Sequence, residues 1–320
     1  MILTRTEAIE KLNQYGKSGQ PTFFFTDFPG EQCWIGDHPD VLWELQGMKN
    51  HEESARKLSS FHFKAFPKPP ESFEVQFRKV VEEIKYGNSF LVNLTLKTPI
   101  RTSLSLKDIF LGSKAKYKVL FNDRFVVFSP ETFIEIKDDR VYSHPMKGTI
   151  DAAIPSAEKI ILNDKKETAE HITIVDLIRN DLSHFASDVQ VTRFRYIEKI
   201  ATHAKHLLQV SSEISGKMNP NWQESLGSIL FSLLPAGSIS GAPKPSTVRI
   251  IQETEDYKRG FYTGICGYFD GKNLDTGVMI RFIEKEGDQL YFKSGGGITS
   301  FSNLDAEYQE VIDKIYVPVH

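Results

Sequence analysis

Two pairs of glutamates at matching spacing, Glu167/Glu170 and Glu307/Glu310, are the residues whose types and positions most invite chemistry. An i, i+3 separation sets both carboxylates of a pair on one face of a helix, and Lys314 continues the face of the second pair. Four carboxylates from two helices can form an oxygen cage for Mg²⁺, which keeps several waters and binds through one or two direct protein carboxylates. One glutamate of each pair would bind directly and the other hold a coordinated water, and the metal would neutralise and orient an anionic substrate. A solvated charged stripe gives the same pattern. Arg281, in Met279-Ile280-Arg281-Phe282, reads as a charge inside an apolar strand. Its planar fork suits a carboxylate, either a ligand's or that of an internal salt bridge. Gly295-Gly296-Gly297-Ile298 follows a strand and precedes the last helix, so its amides are free to bind a carboxylate, or else it is a tight turn or bulge. Lys147, in His144-Pro145-Met146-Lys147-Gly148-Thr149, is placed on a strand end or turn. It is a surface cation unless desolvation or nearby charge lowers its pKa and makes it a nucleophile. Taken together, the set suggests a Mg²⁺-bound small carboxylic acid presented to a nucleophilic amine.

The elements that must position these groups follow from periodicity. Thr6 to Tyr15 reads as a short helix and Thr22 to Phe25 as an apolar strand. The cluster Phe66-Pro67-Lys68-Pro69-Pro70 is a candidate connector. Glu74 to Tyr86 is amphipathic, with Val75, Phe77, Val80, Val81 and Ile84 at helical intervals. Ser89 to Leu96 and Val119 to Phe128 are rich in β-branched and aromatic residues and read as strands. Phe133 to Ile136 and Val141 to Ser143 make a hairpin across Lys137 to Arg140. Helices are expected over Glu167 to Leu182, Trp222 to Leu234, Ser246 to Glu253 and Leu304 to Tyr316. Strands are expected over Gly260 to Phe269, Asp275 to Glu284 and Gln289 to Ser294, with the glycine triplet interrupting. Strands and helices come in clusters, without strict β-α-β alternation, which favours antiparallel sheets with helices packed outside, an α+β architecture.

At 320 residues the chain is long enough to bury a substantial core without disulfides or a structural metal. Hydrophobic content of 40%, charged content of 25% and a formal charge of −3 describe an ordinary globular protein and argue against a general nucleic-acid binder. The polar start lacks a secretory signal pattern, and no apolar run approaches the roughly 18 residues a membrane span needs. A cytoplasmic protein with no membrane association is expected. Cys33 and Cys266 lie far apart, in no metal-like spacing.

Several motifs in order resemble the chorismate-utilising enzymes, and among them most closely the aminodeoxychorismate synthase component I group. They are Ser129-Pro130-Glu131, Pro145-Met146-Lys147-Gly148-Thr149, Glu167-Thr168-Ala169-Glu170-His171 and Ile174 to Leu182. Further along come Pro235 to Lys244, Arg259-Gly260-Phe261-Tyr262-Thr263-Gly264, Gly295 to Ile298 and Glu307-Tyr308-Gln309-Glu310. The resemblance runs from about Phe73 to the end of the chain. It implies a single chorismate-binding catalytic domain over 1–320, with a shortened N-terminal segment of about 1–72 and a sandwich-like core of antiparallel sheets. It further implies that Glu170 and Glu310 bind Mg²⁺ directly and Glu167 and Glu307 through water. Tyr262, Arg281 and the amides at Gly297 and Ile298 would hold a chorismate carboxylate, with Ser240, Thr149 and Lys314 lining the pocket. Glu131 matches the general acid that protonates the departing 4-hydroxyl. Lys147 matches the lysine that marks aminodeoxychorismate synthases, where the anthranilate and isochorismate synthases carry alanine. The implied reaction is attack of Lys147 at C2 with loss of the 4-hydroxyl, then attack of ammonia at C4 with release of the lysine.

Three departures stand out. Gln209 occupies a position where the resembled enzymes carry histidine; it can donate a hydrogen bond but carries no proton charge. Ile150-Asp151 replaces the more usual basic residues after Gly-Thr, and the shortened N-terminal segment makes a complete tryptophan site doubtful. Neither cysteine lies on the G-x-C-x-G elbow of a glutaminase, so free ammonia or a separate glutaminase subunit is the expected nitrogen source. Anthranilate or isochorismate synthesis, and a non-catalytic chorismate-binding subunit, are the competing readings.

Overall fold

The structure of the chain, a computed structural model, describes residues 2–58, 60–201 and 206–318. Two large sheets carry the fold, and every strand pairing among the described residues is antiparallel. The first runs, strand by strand, through Ile2–Thr4, Gln32–Ile35, Thr22–Thr26, Ile265–Phe269, Leu274–Val278, Thr132–Lys137, Arg140–Ser143, His206–Met218 and Met146–Asp151. Ala186–Ala201 also pairs with His206–Met218. The second runs through Gly241–Ala242, Leu91–Thr102, Gln289–Ile298, Phe282–Glu286, Phe125–Ser129, Tyr117–Phe121, Val41–Leu45 and Met48–Lys49. This is the α+β architecture of antiparallel sheets that the clustering of strands predicts.

The sheets are joined by aromatic packing. Phe23, Phe25 and Trp34 of the first meet Trp43, Phe121 and Phe125 of the second in one buried cluster. Phe23 stacks on Trp43 with centroids 5.1 Å apart, and Phe25 meets Phe125 edge-on at 5.6 Å, the geometries that aromatic quadrupoles favour. Alternation along the strands sends the other face of each sheet to helices. Ala8 and Leu12 of the Arg5–Ser18 helix pack with Leu226 and Leu230 on the first sheet. Phe73, Phe77, Val80 and Ile84 of the Pro70–Lys85 helix pack with Leu94 and Ile298 on the second. The first 66 residues thus contribute strands to both sheets, and Pro70 begins a helix instead of marking a boundary.

Several boundaries differ from the sequence expectation in ways that matter for the site. The expected strand Val119 to Phe128 is a hairpin, Tyr117–Phe121 with Phe125–Ser129, turning at Asn122 with φ of 47°. The expected strand Asp275 to Glu284 is two strands in different sheets: Leu274–Val278 belongs to the first and Phe282–Glu286 to the second. Arg281, with φ of 53°, lies in the crossover between them and not inside a strand. The glycine triplet does not interrupt its strand, which continues to Ile298 and pairs Gly295, Gly296 and Gly297 with Thr95, Leu94 and Asn93. The long hairpin of Ala186–Ala201 with His206–Met218 had no counterpart in the reading of the sequence, its β-branched residues being diluted by charged and polar ones.

Candidate active site

The site forms where the chain changes sheets. Two of the changes of sheet contribute, one between Phe125–Ser129 and Thr132–Lys137, across Pro130-Glu131, and one between Val278 and Phe282, across Arg281. The two crossovers are tied by the Val278 N–H donating to the Glu131 carbonyl at 3.0 Å. Backbone freed from a ladder can turn its side chains away from the sandwich core, and both Glu131 and Arg281 face one cavity of about 360 Å³. Lys147, Thr149, Glu167, Glu170, Gln209, Tyr262, Glu310 and Lys314 line the same cavity.

Lys147 reaches it from Met146–Asp151, the strand that follows a break at Pro145. The Pro145 carbonyl still accepts from Ser212 N at 2.9 Å, and the ladder on His206–Met218 resumes with a register shift between Met146 and Thr149. Gly148 holds φ of 80° there, a conformation that an L side chain resists. The Lys147 ammonium lies 3.4 Å from Glu170 Oε2. Burial pulls its pKa down, but Glu170, Glu131, Glu310 and Glu167 outweigh burial and hold it above the ordinary lysine value. In this state Lys147 is therefore an ammonium.

The glutamate pairs come from the first two turns of two helices, Lys165–Leu182 and Leu304–Asp313. Asp164 and Asn303 cap them, accepting from Glu167 N at 2.8 Å and from Asp305 N and Ala306 N at 3.1 and 3.2 Å. All four carboxylates converge on a residue absent from the sequence expectation, Lys166. Its Nζ lies 3.6 Å from Glu167, 3.2 Å from Glu170, 2.9 Å from Glu307 and 3.4 Å from Glu310. In sequence, Lys165-Lys166 looks like solvated charge; the signal that could have found it is the i, i+4 relation of Lys166 to Glu170. Gly297 makes the convergence possible, since a Cβ there would stand 2.6 Å from Glu170 Oε2.

The cage is electrostatically uneven. Burial pushes Glu310 up, yet Lys314 and Lys166 outweigh it and bring the carboxyl down to about 2. Glu167 and Glu307 are raised instead, burial being the largest cause for each. Glu170 Oε1 and Glu307 Oε2 are buried and make no hydrogen bond. Among the described residues no three acidic, imidazole or thiol groups already stand at metal-binding spacing. The donor set nonetheless fits a hard divalent cation: it is all carboxylate oxygen, Glu307 Oε2 is buried without a partner, and an ammonium fills the place of the ion.

The remaining expected residues divide. Arg281 has no carboxylate partner among the described residues, and its Nε is buried without a hydrogen bond, so the internal salt bridge is not what holds it there. Lys314 Nζ donates to Gly295 O at 2.8 Å and to Glu310 at 2.6 Å. Tyr262 is buried, and Gln209 stands on the strand opposite Thr149. Ser240 is fully buried with its hydroxyl donated to Ala236 O at 2.8 Å, two residues beyond Ser238, which lines the cavity and donates to Glu131 Oε1 at 2.5 Å. Ile298 packs into the apolar cluster beneath the second sheet, and Gly297 faces Glu170; of the triplet, Gly295 lines the cavity.

Supporting groups hold this arrangement. His171 Nε2 meets Ser212 Oγ at 2.6 Å and is brought down to about 4, chiefly by burial and then by Arg195 and Lys147, so a neutral imidazole ties the glutamate helix to the Gln209 strand. Arg259, 3% exposed, pairs with Glu255 at 2.7 Å and donates to Ile239 O and Asn93 O at 2.8 and 2.6 Å, joining three walls of the cavity.

Comparison with known proteins shows the family. Residues 25–320 match the chorismate binding enzyme family. The chain belongs to that family. It is 47% identical, over 99% of its length and 98% of the relative's, to an uncharacterized PabA-like protein of Haemophilus influenzae. It is 28% identical to aminodeoxychorismate synthase component 1 of Bacillus subtilis over 89% of this chain and 61% of that protein. The fold matches the menaquinone-specific isochorismate synthase of Escherichia coli with a TM-score of 0.75 at 16% identity, covering 98% of this chain and 82% of that one. It also matches anthranilate synthase component I of Streptococcus pneumoniae with a TM-score of 0.63 at 28% identity, covering 82% and 60%. Among the described residues no helix is long and apolar enough to cross a membrane.

Proposed function

We propose that this chorismate-binding enzyme aminates chorismate, forming 4-amino-4-deoxychorismate as the component I of an aminodeoxychorismate synthase and so feeding para-aminobenzoate and folate synthesis. The observation that carries the reading is the lysine in the cavity: Lys147 shares the lining with Arg281, which is free for a carboxylate, and with Glu131, which is fixed by Ser238. In this mechanism Arg281 and Tyr262 bind a carboxylate of chorismate. Lys147 attacks C2 as the free amine, the ring double bonds shift, and the 4-hydroxyl departs as water with a proton from Glu131. Ammonia then attacks C4, the double bonds shift back, and the C2–N bond breaks to return Lys147.

Four carboxylates hold the proton on Lys147, so the amine is released only when their charge is offset. Glu170 and Glu310 would hold Mg²⁺ directly and Glu167 and Glu307 through water, and the ion when bound would supply that offsetting charge to them and to the substrate. Nitrogen would come as ammonia from a separate glutaminase subunit. Both cysteines are fully buried and burial pushes both thiols up, which leaves neither as a glutaminase nucleophile.

The test is product identification by mass spectrometry on the purified chain with chorismate, Mg²⁺ and ammonium. Aminodeoxychorismate, formed with ammonium but with glutamine only after a glutaminase is added, is the expected result. Anthranilate or isochorismate as the product would overturn the reading.

A further inference from the structure

We propose that Lys166 is a built-in counter-ion that occupies the carboxylate cage in place of the divalent cation, and that metal binding is an exchange in which its ammonium leaves. The inference rests on reading the four glutamates as the cation site, and adds to it a residue that competes for that site.

Three observations support it. Lys166 Nζ is within 2.9 to 3.6 Å of all four carboxylates, whereas Lys147 and Lys314 each touch one. A cation holding two of these carboxylates at about 2.1 Å would need the volume that Nζ now fills, so the two occupants exclude each other. Lys166 is also at the mouth: its side chain is 21% exposed, against 3% for Glu170 and 1% for Glu307. It stands on the first turn of its helix and can swing its four-carbon stem toward solvent without disturbing the backbone. Meanwhile Glu307 Oε2, buried and without a hydrogen bond, is coordination that the ammonium does not use, since Lys166 meets Glu307 through Oε1.

The consequence is charge accounting across the catalytic cycle. Without a counter-ion, four carboxylates would crowd one point, two of them nearly inaccessible to water, and the ligand-free protein would be strained by their repulsion. Exchanging an ammonium for a dication adds one positive charge at the moment an anionic substrate enters, so metal and substrate favour each other's binding. The state open to metal is the fraction of molecules with Lys166 swung out, and apparent metal affinity is reduced by that fraction.

The test titrates chelator-stripped protein with Mn²⁺ in the absence of chorismate, reading free Mn²⁺ by electron paramagnetic resonance. Lys166→Gln should bind Mn²⁺ roughly tenfold or more tightly than the unaltered chain, because the competing occupant is gone. A second measurement uses the unaltered chain, so it does not depend on how the variant folds: acetylation of Lys166 by an acylating reagent, followed by peptide mass spectrometry, should rise when Mn²⁺ is added. Lys166→Gln binding no tighter than the unaltered chain, or Lys166 becoming more protected with Mn²⁺, would overturn the exchange while leaving the cage intact. If neither chain binds Mn²⁺, the cage reading fails and the exchange falls with it.

Discussion

Replacing Arg281 with methionine separates a guanidinium kept for a ligand from one that holds the fold together. In an internal salt bridge, loss of the arginine would strand a buried carboxylate and cost about 3–5 kcal/mol of stability. Arg281 has no such partner among the described residues, and its buried Nε makes no hydrogen bond. Its guanidinium lies 5.6 Å from the centroid of the Tyr316 ring, a contact worth about 1 kcal/mol or less at a partly exposed site. Removing an unpaired, partly desolvated cation returns a similar amount, so Arg281→Met should melt within a few degrees of the unaltered chain, or above it. Methionine is long and unbranched, so the backbone at φ of 53° meets no new crowding at Cβ. Binding should behave oppositely. Truncating one partner of a desolvated, hydrogen-bonded charge pair costs about 3 kcal/mol, which is roughly a hundredfold in chorismate affinity. Arg281→Lys keeps the charge but loses the fork, and should fall between, at roughly tenfold. Calorimetric titration with chorismate beside a thermal melt measures both quantities. A large fall in melting temperature with chorismate affinity unchanged would refute the reasoning, because Arg281 would then be a structural residue.

Glu131→Gln keeps an acceptor for Ser238 and removes the proton, so kcat should fall by roughly 10² to 10⁴ while chorismate affinity and melting temperature hold; steady-state kinetics with titration checks this. Glu135 is brought from 4.5 down to about 2, by His144 first, against burial and helped by Gln46. A carboxyl depressed on folding adds stability above its unfolded pKa and loses it as pH falls through the folded one. Glu135→Gln should therefore be less stable by up to about 3 kcal/mol near neutrality, the gap closing between about pH 4.5 and 2, as urea unfolding at a series of pH values would record.

How much of this was legible in the sequence depended on whether a residue's role is local. The i, i+3 glutamates and the helices bearing them follow from a 3.6-residue period, and the structure keeps both pairs on the first two turns of helices. The α+β architecture followed from the clustering of strands and helices. What periodicity could not give was the change of sheet. Val278 to Phe282 carries no glycine or proline to signal a break, yet the ladder breaks at Met279 to Arg281, because the strands on either side bond to different partners far away in the chain. The glycine triplet erred in the opposite direction: three glycines look like a turn, but they lie in a strand because Glu170, Glu307 and Glu310 press against it. Lys166 was invisible because its significance is convergence, four carboxylates from two helices more than a hundred residues apart, and no local spacing reports that. Ser240 and Ser238 show the finer limit: both belong to one motif, but a two-residue offset decides which hydroxyl faces the cavity.

The central claim is that Lys147 is the nucleophile of a chorismate amination, and one comparison addresses it directly. The unaltered chain and Lys147→Ala, both shown to be folded by thermal melt, would be incubated with chorismate, Mg²⁺ and ammonium and their products resolved by mass spectrometry. The expected result is aminodeoxychorismate from the unaltered chain and its loss by a factor of roughly 10³ or more from the variant, with any residual product being anthranilate-like or hydrolytic. Aminodeoxychorismate formed by Lys147→Ala at the unaltered rate would contradict the account and remove the lysine from the chemistry.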